Sequence, residues 1–146
     1  MVAAVMVSGD KPRVVCYFDG ACPGNQFGRK GPMKAAYVIG DLEFVRDVPD
    51  LQTPNGPMRT NNIAEYSGLI FLLRDLRDRD RQSPRGGAYL VCGDSQLVIR
   101  QMTGRYRVHK DHLRALNSEA RELAAHVDVK FREVPREQNK AGFLLE

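Results

Sequence analysis

Arg13–Asp19, RVVCYFD, runs directly into residues 20–32, GACPGNQFGRKGP, and this junction decides the fold. The first stretch is apolar, β-branched and aromatic with no polar alternation, the pattern of a central strand covered on both faces. The second holds four glycines and two prolines, which exclude regular structure. A strand that delivers an aspartate into a loop is thus the first element. Lys34–Gly40 and Leu42–Val48 read as two further strands, a hairpin turning at Gly40 and Asp41. Pro49–Pro57 reads as loop. From Asn62 to about Arg79, Ile63, Tyr66, Ile70, Leu73 and Leu76 recur at helical spacing, and Leu69 and Leu72 widen the stripe. Residues 82–87 break that helix. Ala88–Cys92 is a short buried strand, Ser95–Thr103 a helix stopped by Gly104, and Leu113–His126 another helix. Val127–Val134 alternates as a strand with one wetter face. Ala141–Leu145 opens a last helix. The order predicts an α/β fold: one domain, a mixed sheet with helices on its faces.

Composition narrows the class. The chain has 146 residues, 42% apolar and 27% charged, an ordinary globular mix that excludes disordered, collagen-like and disulfide-scaffold classes. The net charge of +4 leans toward a polyanionic partner. Arginine supplies 16 of the 22 basic residues, which fits either a compositional bias of the genome or guanidinium recognition of phosphate. Cys16, Cys22 and Cys92 form neither a disulfide pattern nor a zinc ribbon. No apolar run approaches the ~20 residues of a membrane span. Residues 1–12 lack a basic n-region and read as a short frayed leader before a single domain at 13–146. These features predict a cytoplasmic protein.

Three acids fall where elements begin or stop. Asp19 ends the first strand, Glu65 lies in the first turn of the long helix, and Asp94 joins the second buried strand to the next helix. In open α/β sheets, sites form beyond strand ends. Each acid also has a structural reading: Asp19-Gly20 as a turn, Asn62-x-x-Glu65 as a capping box, Asp94 as a helix cap. Taken together they say more. Carboxylates ~5 Å apart repel by about 3 kcal/mol per pair at an effective dielectric near 20, so three pairs cost on the order of 10 kcal/mol. A cluster of that kind holds protons or cations. Hard oxygen ligands without histidine or thiolate point to Mg²⁺ or Mn²⁺, and a two-ion carboxylate site suits in-line attack on a phosphodiester.

The residues resemble ribonuclease H type 1, the nuclease of RNA–DNA hybrids. Four segments carry the resemblance, in order, along nearly the whole chain after the leader: YFDGACPGN (17–25), TNNIAEY (60–66), GDSQLVIRQMTG (93–104) and VPREQNKAG (134–142). It implies a ribonuclease H-like fold, a five-stranded mixed sheet flanked by helices. It also implies hydrolysis of the RNA strand of a hybrid, leaving a 3′-hydroxyl and a 5′-phosphate, with two Mg²⁺ or Mn²⁺ ions on Asp19, Glu65 and Asp94. By the same resemblance Asn25, Asn61, Asn62, Ser95 and Gln96 are substrate-binding side chains. Cys22 contacts substrate through its backbone, and Thr60 holds a phosphate of the DNA strand. The 2′-hydroxyl, both donor and acceptor, is what such amides would read.

The family's fourth acid is missing. Its expected position is Phe143 without a gap, and Ala141-Gly142 stands where Ala-Asp occurs. Asn139, through its amide oxygen, is the expected fourth ligand and Glu146 the alternative. Arg136 matches a position held by His or Arg in the family; a guanidinium there neutralises phosphate and is no proton shuttle. No hybrid-binding module or long basic handle is seen, and Arg105, Arg107 and Lys110 supply the fixed charge between the later helices. The partner implied is a hybrid duplex bound by a monomer. A non-catalytic hybrid-binding module and a DNA-directed nuclease on the same scaffold are the competing readings. His109-x-x-His112 lacks a third ligand for zinc.

Overall fold

The computed structural model of the chain describes residues 4–6, 11–24 and 31–146. The strands are β1 (Ala4–Met6), β2 (Pro12–Ala21), β3 (Met33–Ile39), β4 (Leu42–Val48), β5 (Leu51–Thr53), β6 (Gly56–Met58), β7 (Ala88–Gly93) and β8 (Asp128–Glu133). The helices are α1 (Asn61–Arg81), α2 (Gln96–Met102) and α3 (Asp111–Ala124). Two 3-10 turns follow, Arg136–Gln138 and Gly142–Leu145.

The five expected strands form one mixed sheet in the order β4-β3-β2-β7-β8. β2 is antiparallel to β3, with Cys16 opposite Ile39 and Asp19 opposite Ala36. It is parallel to β7, with Val14 opposite Tyr89 and Tyr17 opposite Cys92. β7 and β8 are parallel as well, as the helices between these strands require. Strand alternation sorts the side chains of β2. Cys16 and Phe18 enter the large core with Tyr66, Leu69, Leu72, Leu73 and Leu76 of α1. Tyr17 instead packs on the opposite face, with Ala36, Val38, Ala141, Leu144 and Leu145.

Four local expectations are corrected. β2 does not stop at Asp19 but continues to Ala21, because β3 pairs with it as far as Ala21–Lys34. The leader is not wholly frayed: Ala4–Met6 pairs antiparallel with Pro12–Val14 and adds a sixth strand. The expected loop at 49–57 contains a small hairpin, Leu51 opposite Met58, closed by Thr53, whose hydroxyl donates to the Gly56 carbonyl at 2.7 Å. Strands of three residues are too short to show periodicity. The last helix is only a 3-10 turn, with Leu144 and Leu145 packed and Phe143 54% exposed.

The helix–sheet contact that matters most is made where side chains are absent. A Cβ on Gly20 of β2 would lie 2.1 Å from the Ala64 carbonyl carbon and 2.3 Å from the Glu65 nitrogen. A Cβ on Gly68 of α1 would lie 2.5 Å from the Asp19 carbonyl oxygen. Backbone therefore meets backbone at both points, and Glu65 is carried to the strand that bears Asp19. Alanine in a helix interior ordinarily gains about 1 kcal/mol over glycine. At Gly68 the clash reverses the sign: Gly68→Ala is expected to destabilise by about 1–3 kcal/mol, the usual cost of overpacking. Urea unfolding of the two proteins measures it, and a stabilised variant would contradict the close approach.

Candidate active site

Each acid is delivered by a different element. Asp19 comes from β2, Glu65 from the first turns of α1, and Asp94 from the junction of β7 and α2. The three line one cavity of about 290 Å³, together with Asn61, Arg136 and Glu146. Neither helix uses an acid as its cap. Thr60 caps α1, its hydroxyl accepting from the Ile63 N–H at 3.1 Å, and Ser95 caps α2, accepting from the Val98 N–H at 3.2 Å. The capping roles that compete for Glu65 and Asp94 are thus filled by their neighbours.

The cavity holds strained charge. Burial, and next the negative charge of Asp94, push the Asp19 carboxyl up from its ordinary 3.8 to about 6. Burial first, then Asp19 and Asp94, push Glu65 from 4.5 to about 7, against a lowering hydrogen bond from Ser95 and the field of Arg136. Arg136 also lowers Asp19. The guanidinium is the one basic side chain among the described residues that line this cavity.

The chain is similar to proteins named as ribonucleases. The family described as "Reverse transcriptase-like" matches residues 50–145. A Halobacterium salinarum protein named ribonuclease HI is 34% identical over 147 residues, 99% of this chain and 67% of that protein. A bifunctional protein of Mycobacterium tuberculosis is 32% identical over 87% of this chain, which spans only 32% of it. Among solved structures, the Halobacterium RNase H1 superposes with a TM-score of 0.71 at 33% identity, covering 91% of this chain and 93% of that one. LC11-RNase H1, solved in complex with an RNA/DNA hybrid, superposes with a TM-score of 0.69 at 29% identity, covering 86% and 88%.

The chain belongs to the ribonuclease H family. That family is divalent-metal dependent. The residues of this chain fit such an ion in chemistry, since the donors facing the cavity are hard carboxylate oxygens with raised proton affinity. They are not drawn together into a finished cage: among the described residues no three His, Cys, Asp or Glu side chains stand close enough to hold an ion. Asn139 donates to Asp94 at 3.1 Å, and Ser95 lowers the proton affinity of Glu65.

Asn139, expected as the fourth ligand of this ribonuclease H site, is occupied otherwise. It is 0% exposed. Its amide nitrogen donates to the Phe18 carbonyl at 2.9 Å and to Asp94 Oδ2, and its oxygen accepts from the Ala141 N–H at 3.2 Å. Flipping the amide would set its oxygen against two acceptors, so the network fixes the assignment. Asn139 positions Asp94 and ties the chain's last turns to β2. Its oxygen is directed to the backbone rather than to the cavity.

The residues expected to touch substrate divide. Asn61 lines the acidic cavity, yet its side-chain oxygen accepts from the Cys22 N–H at 3.0 Å, so that backbone donor is engaged inside the protein. Asn62 lines a second cleft beside it, with Gln101, Arg105, Arg107, His109 and Lys110. Thr60 and Ser95 carry capping roles, Gln96 is exposed at the start of α2, and Asn25 lies outside the described residues. A feature the sequence reading missed lies beneath the basic cleft. Tyr66 donates to Gln101 Oε1 at 2.6 Å, Asn117 donates to the Tyr66 hydroxyl at 3.1 Å, and Arg121 donates to the Gln101 carbonyl at 2.7 Å. Gln101 itself donates to the Arg107 carbonyl at 3.4 Å, tying the basic segment to α1 and α3. Its signal was a glutamine between the apolar Ile99 and Met102.

Raised carboxyl pKa values make the metal-free protein lose stability as pH rises. The folded chain keeps protons on Asp19 and Glu65 that the unfolded chain releases near pH 4, so the slope is negative up to about pH 6 and 7, their folded values. In a chelating buffer, wild type is expected to lose Tm relative to Glu65→Gln across that window. Added Mg²⁺ is expected to reverse the loss. A difference that grows in favour of wild type as pH rises would contradict the buried, cation-free charge.

Proposed function

We propose that this chain is an endoribonuclease that hydrolyses the RNA strand of RNA–DNA hybrids, leaving 3′-hydroxyl and 5′-phosphate ends. One observation carries the reading: three carboxylates from three elements line one cavity with Asn61, and Asn62, its neighbour on α1, lines a basic cleft. The ribonuclease HI of Halobacterium and the hybrid-bound LC11 structure support the same substrate.

Asp19, Glu65 and Asp94 would hold two Mg²⁺ or Mn²⁺ ions, which supply an activated water and neutralise charge at the leaving oxygen. The chain's own residues do the rest. Asn139 keeps Asp94 in place, and Ser95 lowers the proton affinity of Glu65, so that this carboxyl gives up its proton more readily when cations arrive. Arg136, whose field already reaches Asp19 and Glu65, faces a phosphate that enters the cavity and offsets its charge. Asn61 stands beside the acids for contact with the ribose-bearing strand. Arg105, Arg107 and Lys110 bind phosphates of the other strand beyond Asn62. All of these groups come from one chain, so a monomer suffices. Among the described residues no helix is long and apolar enough to cross a membrane. We place the protein in the cytoplasm, where the buried thiols Cys16, Cys22 and Cys92 stay reduced.

A uniform duplex offered as RNA–DNA, RNA–RNA, DNA–DNA and single-stranded RNA, with Mg²⁺ or Mn²⁺ and with chelator, tests the assignment. Cleavage is expected of the hybrid's RNA strand alone, abolished by chelator and reduced at least about 100-fold in Asp19→Asn. Binding without cleavage in either metal would make the chain a hybrid-binding module. Equal cleavage of DNA duplex would make it a DNA-directed nuclease.

A further inference from the structure

Four acids line the acidic cavity, and the fourth is Glu146. The wall next to Asp19 is formed by Gly142, where a Cβ would stand 3.1 Å from Asp19 Oδ2. A side chain at this position would project straight onto the Asp19 carboxylate. Glycine therefore leaves that side of the cavity with no donor of its own, and Asn139, three residues earlier, turns its oxygen to the Ala141 N–H. Glu146 follows four residues after Gly142, directly after the 3-10 turn Gly142–Leu145. The turn is anchored on both sides. The Gly142 N–H donates to the Asn139 carbonyl at 3.0 Å and the Leu144 N–H to the Ala141 carbonyl at 3.2 Å. Leu144 and Leu145 pack on Ala36, Val38 and Ala141. These contacts hold the following residue at the cavity mouth.

We propose that Glu146 supplies the fourth carboxylate of the cation site, reaching from the turn that follows Gly142 into the cavity that Asp19, Glu65 and Asp94 also line. The assignment rests on the two-ion reading of the cavity given above. The Glu146 side chain is exposed and must turn inward to join the other three acids. A glutamate reaches one methylene further than an aspartate, which suits a ligand entering from outside the wall. The ordering of such a side chain opposes binding, so the ion on this side binds more weakly than its neighbour.

Titration of Mn²⁺ alone into the free protein, followed by calorimetry, tests the assignment without turnover. Glu146→Gln is expected to raise the Kd of the weaker ion at least about tenfold, the lower end of what loss of a supporting group costs a metal site. Gly142→Asp in the Glu146→Gln background is expected to recover it, by putting a carboxylate on the bare wall. Glu137→Gln removes the same charge outside the cavity and is expected to titrate as wild type. A Glu146→Gln isotherm superimposable on wild type overturns the proposal, as does an equal loss in Glu137→Gln. Asp19→Asn separates the two levels. If it leaves Mn²⁺ binding unchanged, the two-ion reading itself fails. If it weakens binding while Glu146→Gln does not, only the role of Glu146 fails.

Discussion

The molecule turns on a contact between two backbones. β2 and α1 approach at Gly20 and Gly68 so closely that neither residue has room for a methyl group. An ordinary helix lies about 10 Å from a sheet, separated by side chains. Here the first turns of α1 are pressed against β2 at the level of Asp19, and that proximity, more than any hydrogen bond, brings Glu65 to the same cavity. The apolar stripe of α1, from Ile63 to Leu76, supplies the burial that holds the helix down. The glycines determine where along the strand it lands.

The consequence is electrostatic. Burial in this partly dry cavity, followed by the charge of Asp94, raises the proton affinity of Asp19, and burial followed by Asp19 and Asp94 raises that of Glu65. The fold manages this with dipoles rather than with a full set of counter-charges. Ser95 caps α2 and lowers the proton affinity of Glu65, while Asn139 bonds Asp94 and the Phe18 carbonyl. Both are neutral donors that fix carboxylate oxygens without cancelling their charge. Arg136 stands on an exposed turn and offsets only part of it. Such a cavity remains attractive to cations, whereas full ion pairing would have silenced it.

Much of this was legible in the sequence, and for identifiable reasons. The central strand, the long helix and the three acids were carried by strong periodicity and by their places at element ends. The strand order was not legible, because nothing in residues 88–92 or 128–133 states which edge they join, and the family resemblance implied only a five-stranded mixed sheet. The Thr60 cap escaped the residue-level reading, since Asn62-x-x-Glu65 mimics a capping box two residues further on. The role of Asn139 depended on Phe18 and Asp94, partners 121 and 45 residues away, which no local pattern encodes. The hairpin at 51–58 was hidden by the shortness of its strands. Gly20 and Gly68 are visible as letters, but their steric meaning appears only once strand and helix are superposed.

The start of α1 also separates two environments. Asn61 and Asn62 are neighbours, yet one lines a cavity with four acids and the other a cleft with two arginines, a lysine and a histidine. A helix turns by about 100° per residue, so adjacent residues face different sides by construction. A duplex lying across this ridge would meet opposite fields on its two strands. The strand over the basic cleft is held by its phosphates, whereas the strand over the acids can approach only with cations to screen it. The polar network of Tyr66, Gln101, Asn117 and Arg121 fixes the cleft to the same helix that carries Glu65. The spacing between grip and cutting site is therefore set by one rigid element, but both strands carry the same phosphate charge, so telling the strand to be cut from the strand to be held falls to groups that read the ribose 2′-hydroxyl.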